Sequence, residues 1–529
     1  MRGARVWTDG APRMGVDAIA VAAGRILALG READLAALVG PGTRVWDTHG
    51  ATVTPGLVDA HLHLVQWARA ADELDLFGAA SSAEVAARLG RFMNANAGDA
   101  PIVGRGFDPN GWESPPHRGV LVALGDTRAV LLHSKDFHAL WVNGVALRAC
   151  GITRATPDPE GGRIVHDGAG EPTGLLMEHA VRLCSRLLPT GDAGDVEAVV
   201  RALPRLHAFG VTGVHDFEGP AARRVLRDVC GTGTPRLRVL MHLAHSDLDA
   251  AIARGDRSGS GDDAFRTGAL KLFADGTLGS RTAALLEPYA GGRGTGMELL
   301  SPAELRSLVL RAAGAGLSIA VHAIGDRAVR STLDAFEAAG PALRGLSLPP
   351  RIEHLQLVDP HDMPRLARLG VAASMQPSHA IADADLAEQE WGRRVDSSYP
   401  WRSLLDHGAL LVFGSDAPVE PPDAPLGLRA AVTRRGPGRA AAFTPGQRIS
   451  LDEALTAYTE GPARLAGMWP RAGTLRPGAH ADLVIWNTEI HAVGADELAQ
   501  FTPAATIVAG VVCWCTQGLS LGASGWGGA

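Results

Sequence analysis

The sequence predicts an α/β fold, an eight-stranded (β/α) barrel, and three observations lead there. A unit of helix, glycine, apolar strand and polar residue recurs through the second half of the chain. The polar residues that close those strands are spaced by about one or two such units. Both ends of the chain read as strands, whereas the middle alternates.

Taken in order, the first ~55 residues carry two apolar runs, 18–22 and 26–29, around the turn signal Ala23-Gly24-Arg25. After residue 200 the alternating unit begins: a helical stretch over 203–209, Gly210, the strand 211–214 and then His215. Residues 237–241 and 269–273 are two further strands. Ser301-Pro302-Ala303-Glu304 starts a helix, because Ser301 can cap it, Pro302 suits its first position and Glu304 can reach back to the cap. Leu305, Leu308, Val309 and Ala312 share one face, Gly314 or Gly316 ends the helix, and the strand 318–321 delivers His322. Two more units follow: 364–369, Gly370, 371–375 and Gln376, then 401–407, Gly408, 409–413 and Asp416. Alternation of this kind implies a parallel sheet, and the count suits a barrel better than a doubly wound sheet. Residues 481–486, 506–508 and 511–513 return to strand.

Composition narrows the function classes. With 529 residues, 46% hydrophobic and 20% charged, the chain is long enough for one large domain and an accessory one. Fifty basic against 57 acidic residues give a net charge of -7 without long runs, so no nucleic-acid surface is expected. Gly, Pro, Arg or Asp interrupts every apolar stretch short of a membrane span. Residues 1–15 lack a signal peptide's apolar segment and only five cysteines occur, so a reduced, cytoplasmic location is expected. The small-residue tail 522–529 is expected to fray.

The chemistry is concentrated at strand ends. In Val58-Asp59-Ala60-His61-Leu62-His63, histidines at i and i+2 of a strand project to one side and can share a cation. His322, His354 and Asp416 are expected at the C-terminal ends of later strands, 32 and then 62 residues apart. In a barrel such residues face one mouth. The stretch from His61 to Lys271 is too long for three units, so roughly 110 to 130 residues are inserted, at about 70–190. Long insertions of this kind cover the mouth and shape the pocket, although an oligomer contact is equally consistent.

At this point the sequence resembles the metal-dependent amidohydrolase superfamily, and within it the YtcJ-like branch, amidohydrolase family 3, which includes N-substituted formamide deformylases. The matching pieces run over nearly the whole chain: Thr54-Pro55-Gly56-Leu57-Val58-Asp59-Ala60-His61-Leu62-His63, Asp136-Phe137-His138-Ala139-Leu140-Trp141, Lys271-Leu272-Phe273-Ala274-Asp275-Gly276, His322-Ala323-Ile324-Gly325-Asp326, Glu353-His354-Leu355-Gln356, Gln376-Pro377-Ser378-His379 and Gly414-Ser415-Asp416-Ala417-Pro418. Their order makes the resemblance specific.

The resemblance implies a distorted TIM-like barrel over 56–465, with the insertion after its first strand and a small composite β-sandwich from 1–55 and 466–529. It implies one or two divalent ions, zinc by the donor types, with His61 and His63 at a buried position and His322 and His354 at a second or shared one. Asp416 would ligate and move protons. Lys271 stands where many relatives carry a carboxylated lysine, an anionic bridge that a plain ammonium could not be; a snorkelling or ion-paired lysine is the alternative. Asp275 or Asp326 would orient ligand histidines, or cap loops. His138, Trp141, Arg281 and Gln376 would contact substrate, each with packing, turn or ion-pair alternatives. The implied activity is hydrolysis of a non-peptide carbon–nitrogen bond, an N-acyl or N-formyl amide, with ester, lactone or deaminase chemistry as alternatives on the same centre and a metal-free binding protein further off. The expected partner is a small-molecule substrate, with no nucleic acid or membrane, and a homodimer is left open.

Overall fold

The computed structural model describes residues 1–516 except 97, 123–127, 189–192, 232–235 and 437; the tail 522–529 lies outside the described residues. Eight parallel strands form the central sheet: β1 (Leu57–Leu62), β2 (Val211–Asp216), β3 (Arg238–Ala244), β4 (Phe265–Phe273), β5 (Ile319–Ala323), β6 (Arg351–His354), β7 (Ala372–Met375) and β8 (Leu411–Phe413). Each pairs with its sequence neighbour. The ring closes just past the ends of β1 and β8, where the Asp416 N–H donates to the His61 carbonyl (2.6 Å) and the His63 N–H to the Ala417 carbonyl (2.8 Å). Closure needs Gly414: a Cβ there would come within 2.8 Å of the Asp59 carboxylate and still nearer the His61 backbone nitrogen.

The strands read from the sequence are present, with shifted limits. β4 starts four residues before the apolar run at 269–273, because Phe265, Arg266 and Thr267 already pair with β3. Helix Pro302–Gly314 starts as expected, with a complete capping box between Ser301 and Glu304, a feature worth ~1 kcal/mol. It buries Leu305, Val309 and Ala312 against the barrel.

The two ends of the chain meet in a six-stranded sheet of order Ala11–Pro12, Arg5–Thr8, Thr52–Pro55, Leu483–Trp486, Pro503–Val508, Val511–Cys515. The hairpin Ala18–Ala22 and Arg25–Gly30 packs on it through Ile19 and Ile26, against Val53, Leu483 and Ile507. This is the small sandwich built from both termini.

Between β1 and β2 the inserted segment folds around a six-stranded sheet of its own, in the order Gly162–His166, Pro172–Glu178, Ala139–Val142, Val130–Ser134, Ile102–Phe107, Leu74–Asp75. Alternate side chains feed two separate cores: Leu132 and Trp141 on one face, Leu131 and Leu140 on the other. Among the described residues no helix is long and apolar enough to cross a membrane.

Candidate metal centre

β1 ends on His61, and the chain turns at His63 into helix Leu64–Arg69. Two buried carboxylates from the end of β2 fix that turn, Asp216 accepting the Leu64 N–H (2.8 Å) and Glu218 the Val65 N–H (2.7 Å). From the other side of the closed ring comes Asp416. Its Oδ1 lies 3.4 Å from His61 Nε2 and 3.3 Å from His63 Nε2. The three donor atoms lie within 4.8 Å of one another. Asp59 locks this junction from below, its carboxylate accepting the N–H groups of His61 (3.2 Å) and Ser415 (3.0 Å), and burial raises its pKa to about 7.

The tautomers follow from the neighbours. A carboxylate or carbonyl oxygen only accepts, so its imidazole partner must carry the proton on the touching nitrogen. Glu353 Oε2 accepts from His61 Nδ1 at 2.6 Å, which turns His61 Nε2 toward Asp416. Gln376 Oε1 accepts from His354 Nδ1 at 2.9 Å. The Gly276 carbonyl accepts from His322 Nε2 at 3.1 Å, so in a neutral His322 the lone pair is on Nδ1. Burial holds His61, His322 and His354 well below the ordinary histidine value, and the neutral form is the one a metal requires. Asp416 is buried too, but the imidazoles of His61 and His63 outweigh that and keep its carboxyl ionised far down the pH scale.

His354 and Asp416 both hold left-handed backbone, φ 74° and 61°. For residues other than glycine this costs of order 1–3 kcal/mol, a strain that collects at functional sites. The His322 and His354 rings are 4.5 Å apart between centroids, and His61 and His354 4.9 Å. Lys271, on β4, reaches the same cavity with its ammonium 4.5 Å from the Phe217 ring; burial pushes its pKa down to about 8, against the pull of Glu353 and Asp416.

His379 extends this cluster, although the strand-end pattern does not single it out. It comes from helix Pro377–Ala382 after β7, and its Nε2 is 4.0 Å from Asp416 Oδ2. With His354 and Asp416 it makes a second group of donors within 4.8 Å of one another. Its signal in the sequence is the family-matching piece Gln376-Pro377-Ser378-His379, which assigned it no role.

The donors open into a cavity of about 840 Å³. Lys271 and Phe273 line it from the barrel; Phe107, Trp112, Phe137 and Met177 line it from the insertion. His138 lies in the wall, its Nδ1 donating to Glu178 (2.7 Å) and its ring 5.4 Å from His322. Burial disfavours its charge, but Glu178 overrides this and lifts its pKa to about 9. Arg281 also lines the cavity, ion-paired with Glu390 at 3.1 Å.

Several sequence expectations land elsewhere. Trp141 is fully buried in the core of the insertion, edge-on to Phe107, and does not reach the cavity wall. Gln376 is buried behind His354 and positions that ring instead of facing substrate. Asp326 accepts the Leu286 N–H (2.8 Å) and Asp275 those of Ala284, Ile324 and Gly325, so both organise loops; Asp275 comes no nearer than 3.6 Å to His322. Glu353 and Gln376, not Asp275 or Asp326, lie behind His61 and His354. His133, on the insertion sheet, also lines the cavity.

Buried nitrogen and carboxylate donors with their rear atoms fixed suit a divalent cation, and the buried His379 Nε2 has no hydrogen-bond partner among the described residues. A family model described as "Amidohydrolase family" matches residues 44–513. "Putative amidohydrolase YtcJ" of Bacillus subtilis (strain 168) is 31% identical over 493 residues, 90% of this chain and 91% of that protein. N-substituted formamide deformylase of Arthrobacter pascens is 28% identical over 96% of this chain and 97% of its own. The crystal structure of an uncharacterized metal-dependent hydrolase from Pyrococcus horikoshii OT3 superposes with a TM-score of 0.76 at 28% identity, covering 93% of this chain and 98% of that one.

Proposed function

The chain belongs to the amidohydrolase family, and on that premise we propose that its barrel mouth is a divalent-metal centre hydrolysing a non-peptide carbon–nitrogen bond, in an N-acyl or N-formyl amide. The observation that carries the reading is the convergence of His61, His63 and Asp416 within 4.8 Å at the C-terminal ends of β1 and β8. In this reading those three hold the first ion, zinc by donor type, and His322, His354 and Lys271 supply a second or shared position. Lys271 is read as carboxylated on its amine: buried, with a pKa of about 8, it keeps a share of free amine able to add carbon dioxide. When bound, such an ion polarises a carbonyl oxygen and lowers the pKa of water toward ~7.

The protein's own groups do the rest. Asp416, ionised and aimed by its left-handed backbone, accepts a proton from the attacking water and delivers it to the leaving nitrogen. The carbon–nitrogen bond breaks, leaving a carboxylic acid and an amine. His138, held by Glu178, and Arg281 are the substrate-binding residues of this reading, and Phe107, Trp112 and Met177 supply apolar wall against the substrate's carbon skeleton. The deformylase of Arthrobacter pascens supports the choice of an N-substituted amide over other acyl compounds.

The test is a substrate panel of N-formyl and N-acyl amines, matched esters and lactones, and amidines, run on metal-loaded and chelator-treated protein. Amine release from the amides, lost with chelation and restored by zinc, is expected. Turnover of esters or amidines alone would replace the amide reading, and turnover indifferent to metal removal would end it.

A further inference from the structure

The turn at 134–138 joins the insertion strands Val130–Ser134 and Ala139–Val142. Its shape is fixed from within: Asp136 Oδ1 accepts from the Ser134 hydroxyl at 2.6 Å and from the His138 N–H at 3.2 Å, and Phe137 takes left-handed backbone, φ 59°. Two neighbouring residues of this turn then reach in different directions. Asp136 Oδ2 accepts from the hydroxyls of Thr277 (2.7 Å) and Ser280 (3.3 Å), in the segment that follows β4. Lys135 Nζ lies 2.7 Å from Glu420 Oε1, in the segment that follows β8. In a closed ring of eight strands β4 and β8 stand opposite each other, so one turn of the insertion ties to both sides of the barrel.

Glu420 ends the short loop that begins at Asp416. The barrel holds the first half of it: the Asp416 N–H donates to the His61 carbonyl and the Ala417 N–H to Ser415 Oγ (3.0 Å). The insertion holds the second half, since Arg105 donates to the Pro418 carbonyl at 3.4 Å and Lys135 pairs with Glu420. Between the two anchors, the Val419 N–H closes a turn on the Asp416 carbonyl at 2.8 Å. Left-handed backbone at Asp416 costs of order 1–3 kcal/mol and persists only where the surroundings over-determine it. Burial disfavours the Lys135 charge, but the Glu420 and Asp383 carboxylates outweigh this and raise its pKa above the usual lysine value. We propose that Lys135 is a positioning residue for Asp416: through Glu420 it holds the 416–420 loop in the conformation that aims the Asp416 carboxylate, so that the inserted domain sets the geometry of proton transfer. This deepens the reading of Asp416 as the proton-transfer group and rests on it.

The test compares full-length, zinc-loaded wild type with Lys135→Met, Lys135→Arg and Glu420→Gln. Two quantities are read: hydrogen–deuterium exchange of the Val419 and Glu420 amides, and steady-state hydrolysis of N-phenylformamide with bound metal counted in each sample. Lys135→Met and Glu420→Gln are expected to exchange faster at both amides and to lose about 10²-fold in kcat, the cost of a misplacement near 1 Å, while KM stays near wild type. Lys135→Arg should recover most of both losses. The double variant Lys135→Met/Glu420→Gln should be no worse than either single one, because each removes the same pair. Unchanged exchange in a folded Lys135→Met would overturn the proposal whatever the turnover of the amide. So would a raised KM at unchanged kcat, which would make Lys135 a substrate contact. Wild-type kcat in Lys135→Met beside an inactive Asp416→Asn would remove the proposal alone, whereas wild-type kcat in Asp416→Asn would remove the proton-transfer reading and the proposal with it.

Discussion

Glu353 Oε2 lies 2.6 Å from His61 Nδ1, and Arg351 holds the same oxygen from behind at 2.9 Å. The guanidinium also donates to the Ala60 carbonyl (2.7 Å) and to Ser374, and approaches His215 Nδ1 at 3.1 Å. Beneath the proposed ligands therefore lies a fully buried ion pair whose one task toward the cavity is to fix the tautomer and direction of His61.

Glu353→Gln keeps an oxygen that can accept from His61 but removes the charge. Zinc affinity is expected to fall about 10–100-fold, the range for losing a partner of a metal ligand. Glu353→Ala would leave Arg351 charged and uncompensated, and a stability loss of about 3–5 kcal/mol is expected in urea unfolding. Metal affinity unchanged in the folded Gln variant would show that His61 needs an acceptor at this place but not a charged one.

Asp416→Asn is expected to fold, retain much of its metal and lose turnover by about 10²–10⁴-fold, the contribution of a positioned proton-transfer group. The measurement is kcat with metal content counted in the same sample. Activity near wild type would place the proton transfer on another residue.

For Lys271→Ala, we expect loss of bound metal and of activity, with both regained on adding a short carboxylate that occupies the emptied volume. Mass spectrometry of the intact wild-type protein under carbon dioxide should show the added carboxyl group. Unchanged metal content in the variant would leave Lys271 as a buried cation over the Phe217 ring.

Trp141→Ala is expected to cost about 3–5 kcal/mol through the cavity it opens in the insertion core. The milder Trp141→Phe should leave KM near wild type, because the ring lies behind the cavity wall. A large rise in KM for the Phe variant would mean that this side chain meets substrate.

Much of the site was legible because barrel chemistry obeys a positional rule. His322, His354 and Asp416 sit on or just past strands of the same parallel sheet that ends in His61 and His63, so counting βα units pointed them to one mouth, while Lys271 entered through the family resemblance. The insertion sheet was not legible. Val130–Ser134 is buried on both faces, and a run with no polar side has no alternation to read. His379, although part of a matching motif, received no role for a related reason: it stands on a short helix, where unit counting gives no direction.

The sequence by itself determined the alternation of strands and helices, the β-rich character of both chain ends and the residue types that can hold a cation, since these depend on local periodicity and composition. Only the tertiary structure decided which side of each ligand is occupied: that Glu353 backs His61, that Gln376 backs His354, that Trp141 is core and that His379 reaches Asp416. Those choices depend on how the ring closes between β1 and β8 and on which side chains share the buried volume, and contacts between positions hundreds of residues apart leave no periodic trace along the chain.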